Sequence, residues 1–403
     1  MFCSICRHCG LCSGQKTLKE NTAVMQDSDF KFDKNFSYEV SDIGIAIDIG
    51  TTTLAFASYF LQSGEKILFF GQENKQRAFG ADLISRIKSA SGESGLKKMH
   101  SLVLSQIEDA CKKILFEAQN KYKFSSIKKI VLTGNTAMLE IAAGLSVKGL
   151  RIFPFYCENK FGISVSAFSF FGEESFFDKN CEVYIAPVIA PFAGGDLTCA
   201  ILNVLEKTQE DFLLADMGTN LESAYFDSKN KKIICTSSPA GPVFEQNSGN
   251  YFACEIFSAV SDFYMRGLID SSGYIDCGKN ELVSKNGVHM NQKDIRNFQL
   301  AKAAIRVSLE RLTSLKVPLY IAGGFGYFLD KNDALITGLI SEKHKNIFSI
   351  GNAALGGAIL LLMKENLKDK AKKIAESSIY IDMALEDGFQ KKYIECLDFP
   401  KLK

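Results

Sequence analysis

The chain has 403 residues, a formal net charge of +1 and 46% hydrophobic residues. That length and apolar content predict a globular protein of two or three domains with a sizeable core. The near-zero charge argues against a nucleic-acid-binding surface. The longest uncharged apolar run, Ala353–Met363, is too short to cross a bilayer, and the chain does not open on an apolar signal segment. We therefore expect a cytoplasmic protein with no membrane partner.

The chain opens on a cysteine cluster, with four thiols at three-residue steps: Cys3, Cys6, Cys9 and Cys12. Thiolates at this spacing can converge on one iron–sulfur cluster, and C-x2-C-x2-C is the ferredoxin run. Cys12 is followed by Ser13 instead of proline, so its role as the fourth ligand stays open. We predict a metal segment over residues 1–14, with a 4Fe–4S cluster ahead of zinc and free thiols as the alternative to both. Residues 15–41 are polar and are predicted to be a linker.

Residues 43–56 are predicted to form a buried strand, a polar turn and a second strand. The turn carries one carboxylate, one glycine and three hydroxyls, on Asp48, Gly50, Thr51, Thr52 and Thr53. Such a β-hairpin turn can hold phosphate oxygens with its N–H groups while the carboxylate holds Mg²⁺ through water. The alternative is an ordinary core hairpin with a polar turn.

The same pattern recurs from Phe212 to Tyr225, where a buried strand again leads into an Asp-x-Gly-Thr turn. This second turn contains Asp216, Gly218, Thr219 and Asn220. The recurrence predicts a duplicated site and not a short-period repeat.

A third strand, from Leu319, ends in glycines. It leads into Gly323, Gly324 and Phe325, where the missing side chains would let a nucleotide lie close to the backbone.

The periodicity of the remaining segments predicts further elements in chain order. They are a strand over Lys66–Phe70, helices over Gly80–Ala90 and Met99–Ala118, strands over Ile127–Thr133 and Val183–Val188, helices over Leu197–Leu205, Asn291–Leu315 and Lys331–Ile340, a strand over Asn346–Ile350, a helix over Asn352–Glu376, and a last strand and helix within Ile379–Cys396. The Phe-rich segment Leu150–Phe177 receives no assignment.

Together these features resemble the actin, heat-shock chaperone and sugar kinase superfamily, whose members have two RNase H-like domains that clamp ATP between them. The closer resemblance, over roughly residues 43–400, is to the ATPase domain of the reductive activators of corrinoid proteins. It rests on the two Asp-x-Gly-Thr turns and on the segments Asn74–Arg86, Leu132–Met138, Ala240–Glu245, Asp294–Ala304, Gly351–Ala358 and Tyr380–Pro400. The resemblance implies an α/β fold with RNase H-like domains over 42–207 and 208–403. In place of the family's plant-type ferredoxin domain, the residues ahead of the ATPase region hold only the short cysteine segment.

The resemblance also implies roles for particular residues. Asp48 and Asp216, with Mg²⁺, would neutralise the phosphate charge during phosphoryl transfer. Asp196 is the candidate that orients the attacking water, its alternative role being a helix N-cap. Glu245 is placed near the ribose or adenine. The strand-to-helix junction at Gly134 and Asn135 either faces an anion or is only a turn with Asn135 as N-cap.

The function implied by the resemblance is ATP-dependent reductive activation of a corrinoid protein, in which ATP hydrolysis makes an uphill electron transfer to cobalt possible. The expected partners are a corrinoid protein or other redox enzyme as client and an upstream electron donor, with a homodimer as one open assembly. Three other functions stay open. They are activation of a 2-hydroxyacyl-CoA dehydratase-type enzyme, a small-molecule kinase, and a non-redox ATP switch with structural zinc.

Overall fold

The structure is a computed structural model that describes residues 41–218, 220–238, 253–275, 280–327, 329–344 and 346–401. Several predicted positions lie outside these residues: Cys3, Cys6, Cys9, Cys12, Thr219 and Glu245. Contacts divide the chain into two compact units. Unit 1 runs to Thr208 and includes Gly351–Ser378, and unit 2 comprises Gln209–Ile350 and the chain from Ile379 onwards.

The strands and helices of the described residues follow in chain order. The strands are β1 (Asp42–Ile49), β2 (Thr53–Phe60), β3 (Lys66–Glu73), β4 (Ser126–Gly134), β5 (Ile163–Ser166), β6 (Glu182–Ile185), β7 (Phe212–Met217), β8 (Leu221–Asp227), β9 (Lys232–Ser238), β10 (Glu281–Val283), β11 (His289–Asn291), β12 (Leu319–Ala322), β13 (Ile347–Ser349) and β14 (Ser378–Tyr380). The α-helices are α1 (Leu83–Ala90), α2 (Glu93–Gln119), α3 (Thr136–Ala142), α4 (Ala167–Phe171), α5 (Gly195–Leu205), α6 (Ala253–Met265), α7 (Gln292–Leu312), α8 (Gly323–Tyr327), α9 (Lys331–Ile336), α10 (Ala353–Met363), α11 (Leu367–Ser377) and α12 (Phe389–Glu395). Short 3-10 turns cover Lys75–Phe79, Lys148–Leu150 and Met383–Leu385.

Unit 1 is built on a six-stranded sheet in the order β3-β2-β1-β4-β6-β5. The first three strands are antiparallel, and β4 and β6 continue the sheet in parallel with β1. The isoleucines of β1, including Ile45 and Ile47, are fully buried in one cluster with apolar residues of α2 such as Val103 and Ile107. The uninterrupted aliphatic run of β1 is therefore explained by its central position in the sheet.

Unit 2 repeats this arrangement, with a sheet in the order β13-β12-β7-β8-β9-β14. Here β7, β8 and β9 are antiparallel to one another in turn. On the other side of β7, β12 and then β13 continue the sheet in parallel with β7. Each sheet has one further strand at an edge, β5 in unit 1 and β14 in unit 2. The duplicated α/β arrangement confirms the predicted pair of RNase H-like domains.

The segment after Ile350 differs from its prediction in two ways. The domain reading placed all of 208–403 in the second domain, but Gly351–Ser378 belongs to unit 1. The physical reason is the packing of α10 against α5: a Cβ on Gly357 would lie only 2.0 Å from the carbonyl oxygen of Cys199. The predicted helix Asn352–Glu376 is also interrupted, because Lys364 leaves helical geometry with φ −129° and ψ 96°.

Two further findings complete the fold. Within the Phe-rich segment that received no assignment, β5 and α4 form, and β5 pairs with β6. Across the described ranges, none of the helices combines the length and the apolar character needed to span a membrane.

Candidate functional site

The Asp48 turn, residues 48–53, joins β1 to β2 at one end of the unit 1 sheet. The hairpin pairing ends at Ile49 and Leu54, and the N–H of Gly50 then donates to the carbonyl of Thr53 at 3.0 Å. A Cβ on Gly50 would lie 2.6 Å from that carbonyl oxygen, so the turn requires glycine. The predicted hairpin, with its polar residues in the turn, is confirmed.

Three asparagines from distant parts of the chain contact this turn, and we call them the three capping asparagines. The amide Nδ2 of Asn74 donates to the carbonyl of Gly50 at 2.8 Å, and that of Asn135 donates to Oγ1 of Thr51 at 3.0 Å. The Nδ2 of Asn352 donates to Oδ2 of Asp48 at 2.9 Å.

Each of these asparagines also begins a helix. The Oδ1 atoms of Asn74, Asn135 and Asn352 accept from backbone N–H groups in the first turns of the 3-10 turn Lys75–Phe79, of α3 and of α10. Asparagine is suited to both tasks because its oxygen caps a helix while its nitrogen remains free to donate. For Asn135 the N-cap alternative is thus confirmed, and its amide nitrogen is engaged by Thr51.

Asp48 and a second carboxylate, Asp196, are both partly buried in unit 1. Burial raises the pKa of Asp48 to about 6, and the hydrogen bond from Asn352 opposes that rise. Burial, and then the charge of Asp48, raise the pKa of Asp196 to about 7. Neither carboxylate has a cationic partner in an ion pair within the described part of the chain. The alternative that Asp196 is an N-cap is wrong, because Gly194 takes that position and Asp196 lies in the first turn of α5.

Close backbone contacts bring the segments that hold these groups together. Gly134, at the end of β4, has a φ of 154°, and a Cβ there would lie 2.7 Å from the carbonyl oxygen of Ile49. A Cβ on Gly194 would lie 2.5 Å from the Cα of Asn135. The ends of β1 and β4 and the start of α5 therefore meet without intervening side chains. This is the carboxyl end of parallel strands, where α/β folds bind ligands.

The residues present fit a magnesium-bound polyphosphate on chemical grounds. Carboxylates and hydroxyls supply the hard oxygen ligands that Mg²⁺ prefers, and backbone N–H groups donate hydrogen bonds to phosphate oxygens. Mg²⁺ is usually bound through one or two carboxylates together with substrate phosphates. Among the described residues, no three or more His, Cys, Asp or Glu side chains are arranged so that they could hold a metal ion.

Behind the turn, α3 carries a buried glutamate, Glu140, that is 1% exposed. Neither of its carboxylate oxygens has a partner with hydrogen-bond geometry among the residues described, although the backbone N–H of Glu158 lies near enough to lower its pKa slightly. Burial, followed by the charge of Glu158, raises the pKa of Glu140 from its ordinary 4.5 to about 8.

This shift predicts a pH-dependent effect of the substitution Glu140→Gln. Between pH 4.5 and about 8 the folded chain keeps a proton that the unfolded chain loses, so the group's stabilising contribution is complete below 4.5 and is lost by about 8. The neutral amide does not titrate, so raising the pH from 5 to 8.5 should increase the stability of the variant relative to the wild type by about 4 kcal/mol, at roughly 1.4 kcal/mol per pH unit over the interval between the two pKa values. Urea unfolding at both pH values measures this difference. The exposed Glu93→Gln is the control, and an equal change in both variants would contradict the account.

In unit 2 the Asp216 turn follows β7 as predicted. The N–H of Gly218 donates to the carbonyl of Asn220 at 3.0 Å, and β12 runs parallel to β7 with Ala322 opposite Asp216. Gly323 has a φ of 84°, and a Cβ there would lie 2.6 Å from Oδ1 of Asp216. The glycine strand end is therefore packed directly against the carboxylate.

Two other predicted nucleotide contacts, Gly324 and Phe325, lie in the short helix α8. The strand end that was predicted to break into glycines thus continues as the first turn of a helix. The roles of these residues, like those of the other predicted nucleotide contacts, stay predictions.

Asn74 and Asn352 had no predicted role beyond their place in motifs similar to those of the family. The available signal was local, because each asparagine directly precedes a helical segment. The sequence does not reveal which group each amide nitrogen contacts, because that group lies 24 positions away for Asn74 and 304 positions away for Asn352.

Comparisons with known proteins agree with this geometry. A family model described as the RACo middle region matches residues 43–207, and one described as the C-terminal domain of RACo, the ASKHA domain, matches residues 255–403. The corrinoid activation enzyme RamQ of Eubacterium limosum is 26% identical over an alignment of 424 positions, which covers 87% of this chain and 69% of RamQ. A solved structure described as a reductive activator for corrinoid, iron–sulfur protein has a TM-score of 0.75 at 25% identity, covering 89% of this chain and 66% of that one. The chain spans about two thirds of the length of these two relatives.

Proposed function

This chain belongs to the family of reductive activators of corrinoid proteins, whose two domain models together match more than three quarters of it, and from this membership we propose that it uses ATP hydrolysis to drive reduction of the cobalt in a corrinoid protein. The observation that carries the ATPase half of the proposal is the pair of partly buried carboxylates at the Asp48 turn, Asp48 and Asp196, each with a raised pKa. The repeat of that turn at Asp216 supports it.

The nucleotide would be held by polar groups of the two Asp-x-Gly-Thr turns. The backbone N–H groups and hydroxyls of Thr51, Thr52 and Thr53 are suited to phosphate oxygens, and Gly50, whose own N–H donates to Thr53, shapes the turn that presents them. Asp48 would hold Mg²⁺ at its turn, directly or through water, and Asp216 is predicted to have the same role at the second turn. The ion would neutralise the developing phosphate charge. Gly218, Asn220 and Gly323 would let the backbone of unit 2 approach the phosphates closely.

Asp196 is suited to orient the attacking water. A carboxyl group with a pKa of about 7 is divided between its two protonation states near neutral pH, which is the condition for accepting a proton from water efficiently. Its place in the first turn of α5 fixes the carboxylate by a 2.8 Å hydrogen bond from the N–H of Leu197 to Oδ1. Phosphoryl transfer itself needs mainly such positioning and charge neutralisation.

Phosphate release from ATP tests the ATPase half of the proposal. The purified chain should hydrolyse ATP in a Mg²⁺-dependent manner, and a corrinoid protein in its oxidised state should increase the rate. Transfer of the phosphate to a sugar or small acid, instead of to water, would favour the kinase alternative. Failure to bind ATP in calorimetry would overturn the proposal.

The electron-transfer half depends on the N-terminal cysteines. We propose that Cys3, Cys6 and Cys9, with Cys12 as the candidate fourth ligand, hold an iron–sulfur cluster that an upstream donor reduces. This rests on the C-x2-C-x2-C spacing.

The substitution Cys6→Ser should remove the metal and leave ATP binding unchanged, because the cysteine segment and the Asp48 turn are separate parts of the chain. Iron, acid-labile sulfide and zinc are measured after anaerobic purification, with ATP affinity measured by calorimetry. Cys157→Ser, which replaces a partly buried single thiol, is the matched control. Unchanged iron in the Cys6 variant, or zinc in place of iron in the wild type, would contradict the cluster.

A further inference from the structure

Asn352 makes two hydrogen bonds that use opposite ends of its amide. Its Nδ2 donates to Oδ2 of Asp48 at 2.9 Å, and its Oδ1 accepts from the N–H of Leu355 at 2.8 Å. A single orientation of the amide satisfies both contacts, because the nitrogen can only donate and the oxygen can only accept. The helix cap therefore fixes the direction in which Asn352 presents its donor to Asp48.

The Nδ2 of Asn352 contacts only one of the two carboxylate oxygens of Asp48, Oδ2. Asp48 lies at the penultimate position of β1, and its carboxylate has no cation beside it within the described ranges. With Oδ2 engaged by Asn352, rotation of the carboxylate is restricted and Oδ1 remains for another ligand. A hydrogen bond to an ionised group is about twice as strong as one between neutral groups.

We infer that Asn352 is a positioning residue that aligns Asp48 for Mg²⁺–nucleotide and links it to the first turn of α10. The inference rests on the proposed function, since it assigns Asp48 to the metal–nucleotide complex. Asn352 does not touch the reacting atoms in this account. It acts through the orientation of the Asp48 carboxylate.

The position of Asn352 in the chain gives this contact a second consequence. The chain leaves unit 2 at Ile350 and re-enters unit 1 at Gly351, which has a positive φ of 65°. Asn352 follows at once and caps α10, the helix that packs against α5 through Gly357. A change in the ligands of Asp48 can therefore affect the backbone at Gly351, where the chain returns to unit 1, through the side chain of Asn352. ATP binding should be detectable there as a local change in backbone stability.

The substitution Asn352→Ser separates the two roles of the residue. Serine is as good an N-cap as asparagine, so α10 keeps its cap, but serine is too short to reach Asp48. Asn291→Ser is the matched control, because Asn291 caps α7 with the same oxygen and its amide has no contact with the Asp48 turn. If the serine variant folds poorly, Asn352→Thr can replace it, because threonine also caps helices and also lacks the amide nitrogen that donates to Asp48.

We expect Asn352→Ser to lower kcat for ATP about tenfold or more, the effect of losing a charge-assisted hydrogen bond, while KM for ATP changes much less. In calorimetry, Mg²⁺ should tighten ATP binding less in the variant than in the wild type. In hydrogen exchange, ATP with Mg²⁺ should slow exchange of the amides in the first turn of α10 in the wild type and in Asn291→Ser, but not in Asn352→Ser.

The outcomes separate this inference from the proposed function. A wild-type chain that binds no ATP would overturn both. Normal binding and turnover in the wild type, with unchanged kcat, Mg²⁺ dependence and α10 exchange in Asn352→Ser, would overturn the inference alone. A lower melting temperature without any change in Mg²⁺ dependence would show a purely structural cap, and would also overturn it.

Discussion

The substitution Asp216→Asn should abolish ATP turnover, by about 100-fold or more, while the chain remains folded. Asparagine has nearly the same shape as aspartate but carries no charge, so it cannot supply the negative charge that would hold Mg²⁺ beside the phosphates. The shape matters here because a Cβ on Gly323 would lie 2.6 Å from Oδ1 of Asp216, which leaves no room for a larger side chain.

Phosphate release measures the loss, and a thermal melt verifies that the variant is folded. Asp227→Asn is the matched control, since it neutralises an exposed carboxylate at the far end of the neighbouring strand β8. Turnover that survives in Asp216→Asn would remove the second turn from the account and leave the Asp48 turn as the sole catalytic element.

The second large effect is expected from Gly357→Ala, which should destabilise the chain by about 3 kcal/mol. The added methyl carbon would lie 2.0 Å from the carbonyl oxygen of Cys199 and 2.4 Å from its carbonyl carbon. Both atoms belong to the backbone of α5, so no side-chain rotation relieves the clash and the two helices must separate. Because Asp196 lies one turn before Cys199 on α5, ATP turnover should fall as well.

Denaturant unfolding of the wild type and of Gly357→Ala measures this difference in the free energy of unfolding. Gly92→Ala is the control, because a Cβ at that position meets nothing within 4 Å and its φ of −94° suits any residue. A Gly357→Ala variant as stable as Gly92→Ala would show that α5 and α10 do not pack as closely as described.

The hairpins were predictable because their information is local. In Ile43–Ile49 the aliphatic run predicts a central strand, and the glycine and threonines that follow predict the turn. The repeat at Asp216 followed from the same pattern. Each turn and its flanking strands are encoded by adjacent residues, which is why the predicted boundaries agree with the structure to within a residue or two.

The role of the segment after Ile350 was not predictable from local pattern. Small residues such as Gly356 and Gly357 allow close helix packing, but they do not identify the partner helix. That partner, α5, lies about 150 positions earlier, as the 3.1 Å hydrogen bond from Nδ2 of Asn203 to the carbonyl of Ala353 shows. The contact of Asn352 with Asp48 could not be predicted from local pattern either. The position of Asn352 directly before a helix indicates an N-cap, but the contact with Asp48 forms only in the tertiary structure.

The most direct test of the account is the reduction of cobalt in a corrinoid protein, followed by visible absorption under anaerobic conditions. The full chain is mixed with a corrinoid protein in its one-electron-oxidised cobalt state and a chemical reductant too weak to reduce that cobalt alone. We predict that reduced cobalt accumulates with ATP and Mg²⁺, that a non-hydrolysable ATP analogue does not replace ATP, and that Asp216→Asn is inactive. Cobalt reduction at the same rate without ATP, or none with ATP although the chain hydrolyses it, would contradict the central claim.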